Sequence, residues 1–364
     1  MVCLVCSSIW VQAQESTALL ERTSRALFEA QNWEALVAMQ PTLEANGMSY
    51  FAVHYRLGVA FFEQQEYYRA LAEFQKAYRF DPASEALLRY LIPCYQFTEQ
   101  FQAAATLDEN APHGLGWAYL ENGYRFTDFS DSIQRMGYVQ VALHHTVHPR
   151  LGFLHAYTGL LGGAWWGDYR QHQYFLKGAW YVGKGWTVHP FVHLIHLRAQ
   201  PFVQTTYYLA GGALQKHWQR WEWQASVSQT DLGNRGPRYQ WSLRADYHPW
   251  SSQKAKPFAE LRQLAHRRQG QWQWRTGIRI QFSEAMRLQL AYFQGNAQNF
   301  HQENGYLVNN AIDPVARGGQ VLFEVRTSKR FTFFGLVNAN RQQEAFFNTN
   351  YNSVTLGWGL QLQL

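Results

Sequence analysis

Three groups of side chains in this 364-residue chain have the types and spacing to do chemistry. Histidines occur in the stretches HHTVH (144–148) and HLIH (193–196), and His189 lies four residues before His193. Two acids, Asp168 and Asp231, could pair with His172. Arginines recur along the last two thirds of the chain. Imidazoles bind metal ions, a carboxylate with a histidine can act as a general base, and guanidinium groups bind anions.

The elements that carry the histidines and acids decide whether they can act together. On a strand, His193 and His196 point to opposite faces, whereas His189 and His193 share one. Packing or hydrogen bonding explains the two histidines on one face more simply than a bound metal ion does. The spacing of Asp168 and His172 does not identify a nucleophile paired with a general base. We therefore predict no metal site, no cofactor and no enzymatic activity, with a membrane-embedded hydrolase as an alternative left open.

The arginines alternate with aromatic residues, and this period is that of a β-strand. In RYQWSLRADYH (238–248), Tyr239 and Trp241 fall on one face, while Arg238, Arg244 and Asp246 fall on the other. The stretches WQRWEWQASVS (218–228) and QWQWRTGIRIQF (271–282) repeat this arrangement. Each strand therefore has one face suited to an oily environment and one suited to water.

Composition favours a membrane as the oily environment. Aromatic residues make up 16% of the chain, with 15 Trp and 21 Tyr, and charged residues only 16%. A mean hydropathy of −0.38 and the lack of a long apolar run beyond the first residues argue against membrane-spanning helices. A soluble sandwich also alternates, but these strands run to about 10–13 residues, and short links alternate with longer polar ones such as GGAWWGDYR at 162. We predict an antiparallel transmembrane barrel of about 14 strands (12–16) over residues 114–364.

Closing the sheet assigns its two faces to the lumen and to lipid. The residues predicted to line the lumen are eight basic ones, Lys177, Arg220, Arg238, Arg244, Arg275, Arg279, Arg287 and Arg326, and three acidic ones, Glu222, Asp246 and Glu324. The residues predicted to face lipid are Trp221, Trp223, Tyr239, Trp241, Trp272, Trp274 and Trp358. A basic lumen favours passage of anions. The alternative is that the arginines pair with the acids and pack a nonconducting interior.

The first third of the chain has the helical period instead. The stretch HYRLGVAFFEQQEYYRALAEFQKAYRFDP (54–82) resembles the tetratricopeptide repeat (TPR), a pair of antiparallel helices of about 34 residues. The core positions that carry the resemblance are Leu57, Gly58, Phe61, Ala70, Phe74, Ala77 and Pro82. His54 stands where that family usually has Trp. We predict a TPR-like domain over residues 15–110; the resemblance implies a groove for a partner protein or peptide, and a spacer or a lid is the alternative.

The start of the chain reads as a secretory signal over residues 1–13, because an apolar stretch precedes the small residues around Ala13. Cleavage there leaves Cys94 as the last cysteine, which excludes an intramolecular disulfide. The net charge of +6 comes from scattered Lys and Arg without a tract, so we do not predict nucleic-acid binding.

The architecture as a whole resembles proteins that join periplasmic TPRs to an outer-membrane barrel, among them YaiO-like proteins and some exopolysaccharide exporters. The final strand alternates to the last residue, like a signal for the barrel-insertion machinery, although Leu364 replaces the usual terminal aromatic residue. The resemblance implies the outer membrane of a Gram-negative cell, with the helices in the periplasm. The leading hypothesis is a conduit for anionic solutes or polysaccharide, and a nonconducting anchor is the alternative.

Overall fold

The chain forms two compact units, a helical one followed by a β-barrel. In the computed structural model, the described residues are 2–108, 114–128, 135–164, 167–199, 203–231, 237–249, 255–266, 269–283, 285–297, 301–302, 307–308, 315–328, 330–343 and 350–364. The change from helical to alternating hydrophobicity thus coincides with the change from helices to strands.

The helical unit contains seven helices in its described residues. They are α1 (Val2–Glu29), α2 (Trp33–Ala38), α3 (Gln40–Ala45), α4 (Phe51–Glu63), α5 (Tyr67–Phe80), α6 (Glu85–Phe97) and α7 (Phe101–Ala105). One apolar cluster, centred on α4 and α5 and extending to α2, α3 and α6, forms the core. Ser84 caps α6 by accepting a hydrogen bond from the Leu87 amide, and Asn32 caps α2 in the same way.

Gly58 of α4 packs directly against the Phe74 ring of α5. A β-carbon at this position would lie 2.5 Å from the Phe74 ring, so only glycine leaves room for it. The Phe74 side chain is fully buried and stacks on Tyr90 of α6, with 5.7 Å between the ring centroids. The small residue at 58 therefore lets one aromatic ring join three helices.

Helix α1 begins at Val2 and therefore contains residues 2–13 of the predicted signal, but the side chains before Ser16 lie outside the described residues. In the described part of the chain, no helix combines the length and the apolarity needed to cross a membrane.

The barrel is a closed antiparallel sheet of 14 strands, which confirms the predicted antiparallel barrel and its strand number. Its strands are β1 (Gly114–Thr127), β2 (Arg135–His148), β3 (Leu151–Ala164), β4 (Gly167–Gly183), β5 (Trp186–Ala199), β6 (Val203–Trp218), β7 (Trp221–Asp231), β8 (Pro237–Tyr247), β9 (Ala255–His266), β10 (Gln269–Gln281), β11 (Met286–Ala297), β14 (Val315–Arg326), β15 (Phe331–Gln343) and β16 (Asn350–Gln363). Pairing of β1 with β16, from Trp117 opposite Gln363 to Thr127 opposite Ser353, closes the cylinder. Two short strands, β12 (His301–Gln302) and β13 (Leu307–Val308), pair with each other in a separate sheet.

The links differ between the two ends of the barrel, but less regularly than the sequence predicts. At the end where β1 begins and β16 finishes, five links have only two to four residues, and the link between β8 and β9 is the long exception. Gly183, Lys184 and Gly185 all have positive φ in one of these turns. At the other end, the predicted loop GGAWWGDYR at 162 is wrong, because β3 and β4 extend into it. Hydrogen bonding between strands carries the ladder through residues that resemble a loop in composition.

Candidate functional site in the barrel interior

Contacts that skip a strand identify the inner face of the barrel. Lys256 on β9 donates to Glu222 on β7 at 3.1 Å, and Arg275 on β10 donates to Gln320 on β14 at 2.6 Å. The strands in each pair have another strand between them, so their backbones are about 10 Å apart. Side chains converge over that distance on the concave side of a curved sheet and diverge on its convex side. The face that carries these contacts is therefore the interior.

The aromatic residues predicted to face lipid lie on the opposite, outer face. Six of them are exposed: Trp223, Tyr239, Trp241, Trp272, Trp274 and Trp358. The seventh, Trp221, is half-buried because it stacks between Trp223 and Tyr247, with ring centroids 5.4 and 4.5 Å away. Leucine, valine and phenylalanine side chains fill much of the remaining outer face, for example Leu243 and Phe323.

Most of the predicted charged residues lie on inner-face positions. These are Lys177, Arg238, Arg244, Arg275, Arg279, Arg287, Glu222, Asp246 and Glu324. One prediction needs correction. Arg220 lies in the turn between β6 and β7, where its guanidinium donates to the Pro249 carbonyl at 3.0 Å, because β6 extends to Trp218. Arg326 also lies at an inner-face position, where it is the last residue of β14 and is exposed.

Five charged residues of the inner face were not predicted from the sequence. These are Arg125, Lys256, Arg262, Glu121 and Glu260. On β9 the apolar residues Phe258 and Leu264 face inward, while Gln263 has outer-face parity, so alternation does not reveal which face is which. The register with β8 and β10 does reveal it, because Arg262 lies opposite Ser242 and Gln273. The described inner faces then carry ten basic residues, with Arg326 included, and five acidic ones.

Ion pairs hold part of this charge along β7, β8 and β9. Arg244 binds Asp246 through two hydrogen bonds, of 2.7 and 2.8 Å. Arg262 binds Glu260 with its Nε at 2.7 Å and also donates to Gln273 at 2.9 Å. Bidentate guanidinium–carboxylate pairs are well ordered, and removing one partner from a buried pair leaves a costly unpaired charge.

A single ring, Phe258, joins two of the guanidinium groups. The Arg244 Cζ lies 4.6 Å from the ring centroid and the Arg275 Cζ lies 5.4 Å from it. An aromatic ring attracts cations to its face, so Phe258 allows two positive groups to lie close together on one wall. This wall is the most strongly charged part of the described interior.

The facing wall is mostly neutral and partly apolar. Phe175, Phe191 and Leu209 form a buried cluster on β4, β5 and β6. His189 and His193 share this inner face, as the spacing indicates, and His189 bonds to Gln215 at 2.8 Å. The positive charge of the interior is therefore concentrated on one side.

The interior is packed around the circumference. Gln171 on β4 is 1% exposed, Gln240 on β8 is 2% exposed, Arg262 on β9 is 1% exposed and Ser353 on β16 is 1% exposed. A wide water-filled lumen would leave such side chains wet. Any path through the barrel in this conformation is therefore narrower than a ring of 14 strands permits.

The residues considered for metal binding or hydrolysis do not form a site. His172 lies on the outer face and bonds to the Tyr157 hydroxyl at 2.7 Å, whereas Asp168 lies 3.7 Å from Arg170 and Asp231 accepts from Tyr208 at 3.0 Å. Within the described ranges, no group of three or more His, Cys, Asp or Glu side chains could hold a metal ion.

Comparisons with known proteins return only distant structural similarity. No protein-family model matches the sequence, and no curated protein matches it significantly. The outer-membrane protein Omp33 of Acinetobacter baumannii superposes with a TM-score of 0.41 at 7% identity, covering 70% of this chain and 100% of its own. A bacterial polysaccharide outer-membrane secretin gives 0.44 at 10%, covering 70% and 99%. The anion-selective porin of Comamonas acidovorans gives 0.39 at 9%, covering 68% and 98%.

Proposed function

We propose that this protein is an outer-membrane barrel whose basic interior forms a narrow pathway for anionic solutes, including acidic polysaccharide. The barrel strands have 11 to 17 residues. A strand of 11 residues, tilted by about 45°, spans ~26 Å, which matches the ~25 Å apolar band of outer-membrane barrels. The exposed aromatic and aliphatic side chains of the outer face supply such a band.

The observation that carries the proposed selectivity is the excess of basic over acidic residues on the inner face, ten against five. Positive charges along a confined pathway lower the free energy of anions within it and raise that of cations. Because the excess lies mainly on β8 to β11 and β14, an anion would follow this wall, while the neutral wall opposite offers rings and amides to a carbohydrate.

Recordings from the purified protein in planar bilayers test this function. Under a KCl gradient, the reversal potential should have the sign of chloride preference. The variant Arg275→Gln should weaken this preference, since one charge about 10 Å from the ion contributes ~0.4 kcal/mol in water, or about twofold in the permeability ratio. Arg170→Gln is the matched control, because Arg170 lies on the outer face with 57% of its side chain exposed. Cation preference in the unmodified protein would contradict the proposal.

The packed interior favours a second function, that of a nonconducting anchor for the helical unit. Buried pairs such as Arg262–Glu260 and Arg244–Asp246 stabilise an interior without conducting through it. If protein whose gel mobility shows a folded barrel gives no ionic current in bilayers at any voltage, the anchor is favoured over the conduit.

For the helical unit we propose TPR-like repeats that bind a periplasmic protein or peptide. Their support is the packing of the predicted core, in which Leu57, Phe61, Ala70, Phe74 and Ala77 are each at most 1% exposed. The exposed Pro82 follows the end of α5, as the resemblance implies.

A surface of exposed aromatic rings is a docking candidate for that partner. Phe97 is 42% exposed and stacks on Tyr67 with 4.3 Å between the ring centroids, and Phe101 is 60% exposed. Strand β1 begins at the barrel end with most of the short turns, which is the end that faces the periplasm in outer-membrane barrels. Co-purification from cell envelopes should be lost with Phe97→Ala and Phe101→Ala together and retained with Leu19→Ala, which removes an exposed apolar side chain from α1. Equal recovery with both would exclude this surface.

A further inference from the structure

Ser49, His54 and Glu73 form a linear hydrogen-bonded array in the helical unit. The Glu73 Oε2 lies 2.7 Å from the His54 Nδ1, and the His54 Nε2 lies 2.9 Å from the Ser49 Oγ. Glu73 belongs to α5, His54 to the first turn of α4, and Ser49 to the segment just before α4. A hydroxyl, an imidazole and a carboxylate in this order are the geometry of an activated serine nucleophile.

The direction of the hydrogen bonds in this array follows from its partners. Lys76 donates to the other Glu73 oxygen at 2.7 Å. Because a carboxylate only accepts, the His54 Nδ1 is the donor to Glu73, and the Nε2 is the ring nitrogen left for the Ser49 side. This nitrogen faces the Ser49 hydroxyl and is placed to accept its proton.

Burial differs sharply along the array. His54 is 5% exposed and Glu73 is 3% exposed, whereas Ser49 is on the surface. The base and the residue that orients it are thus fixed in the core, while the hydroxyl remains open to a substrate. A polar cluster with a purely structural role would also give both nitrogens of the His54 ring a hydrogen-bond partner, but it would not need an exposed hydroxyl.

The start of α4 supplies hydrogen-bond donors beside Ser49. Its N-cap, Tyr50, makes no side-chain capping bond, so the first-turn amides of α4 receive no such acceptor. These amides, with the positive end of the helix dipole, can stabilise an anion that develops near Ser49. The Ser49 amide itself donates to the Gly47 carbonyl at 2.9 Å, so the stabilising donors are those of the helix.

We propose that Ser49 is the nucleophile of an ester-hydrolysing site that accepts short, uncharged acyl esters. The Phe80 ring stacks on His54 with 6.1 Å between centroids and is 53% exposed, which offers an apolar surface to the acyl group. This activity is independent of the proposed transport function.

The reaction proceeds in two balanced steps. The Ser49 Oγ attacks the ester carbonyl carbon while its proton moves to the His54 Nε2. The bond to the leaving alkoxide then breaks, and the alkoxide takes that proton and departs as the alcohol. In the second step a water molecule attacks the acyl-serine and gives its proton to the His54 Nε2, which returns it to the Ser49 Oγ as the carboxylic acid leaves.

Two measurements on the full chain in detergent test the proposal. A fluorophosphonate probe should form an adduct on Ser49 that peptide mass spectrometry locates, and p-nitrophenyl acetate should be hydrolysed. Ser49→Ala should abolish the adduct and reduce hydrolysis by at least about 100-fold. Glu73→Gln should reduce hydrolysis by ~10-fold or more while the exposed Ser49 remains in place.

Ser16→Ala is the matched control, because Ser16 is another exposed serine of the same unit. It should leave both readouts unchanged, and circular dichroism of Ser49→Ala should match that of the unmodified protein. Absence of an adduct on Ser49 in the unmodified chain, or hydrolysis equal to that of Ser49→Ala, would overturn the proposal. The bilayer recordings are unaffected by either result.

Discussion

Replacing Gly58 by alanine tests how the helical unit is packed, because two opposing effects act at this position. Alanine favours a helix over glycine by about 1 kcal/mol. Its methyl group, however, would lie 2.5 Å from two carbons of the Phe74 ring, and that ring is fully buried between Tyr55 and Tyr90. Overpacking of this kind costs about 1–3 kcal/mol. We therefore expect Gly58→Ala to lower the free energy of unfolding by up to ~2 kcal/mol.

A second substitution separates the two effects. Phe74→Leu shortens the side chain that collides with the new methyl group, so the double variant Gly58→Ala, Phe74→Leu should be more stable than the sum of the single variants by about 1–3 kcal/mol. Urea unfolding followed by the helical circular dichroism signal reports mainly on the helical unit. Ala72→Gly, at a half-buried position of α5, measures the propensity term by itself. Additivity within ~0.5 kcal/mol would refute the predicted contact.

Three further predictions concern ionisable side chains. Lys256→Met should destabilise the barrel by about 3–5 kcal/mol, because it leaves Glu222 without the Lys256 hydrogen bond of 3.1 Å. The temperature at which the gel mobility of the barrel shifts measures this loss, and adding Glu222→Gln should restore part of it. Burial raises the pKa of Glu21, but hydrogen bonds from Arg56 and Tyr50 outweigh this effect and lower the pKa below 4.5. The resulting stabilisation of the helical unit is present above pH 4.5 and is lost as the pH falls through the pKa of the folded state. The variant Arg56→Met should weaken this pH dependence in urea titrations. Burial and the Glu21 bond raise the pKa of Tyr50 from 10.0 to about 12, so the unit should lose stability as the pH rises between these values, and Tyr50→Phe should remove that loss from the same titrations.

The strength of the alternation explains which inner-face residues could be found from the sequence. On β8, bulky aromatic residues occupy every second position near one end, so Arg238, Arg244 and Asp246 could be assigned to the other face. On β9, Phe258 and Leu264 face inward because the interior there is packed rather than wet, and this reverses the expected contrast. Periodicity thus identifies the faces only where the two environments differ strongly.

The Ser49–His54–Glu73 array could not be predicted for a different reason. Its outer members are separated by 24 positions and lie on different elements, and serine, histidine and glutamate each occur elsewhere in the chain. The departure at His54, where the resembled repeat has Trp, was the available signal. Its meaning depends on the packing of α4 against α5, which brings a carboxylate to the imidazole.

The sequence by itself determined the change from helices to strands, the two-sided character of the strands and their approximate number, because these follow from periods of 3.6 and 2 in neighbouring residues. Only the tertiary structure decided the ends of β3, β4 and β6, the partners of the buried charges and the packed state of the interior. Those features depend on register and on contacts between residues far apart in the chain, and a local pattern carries no information about them.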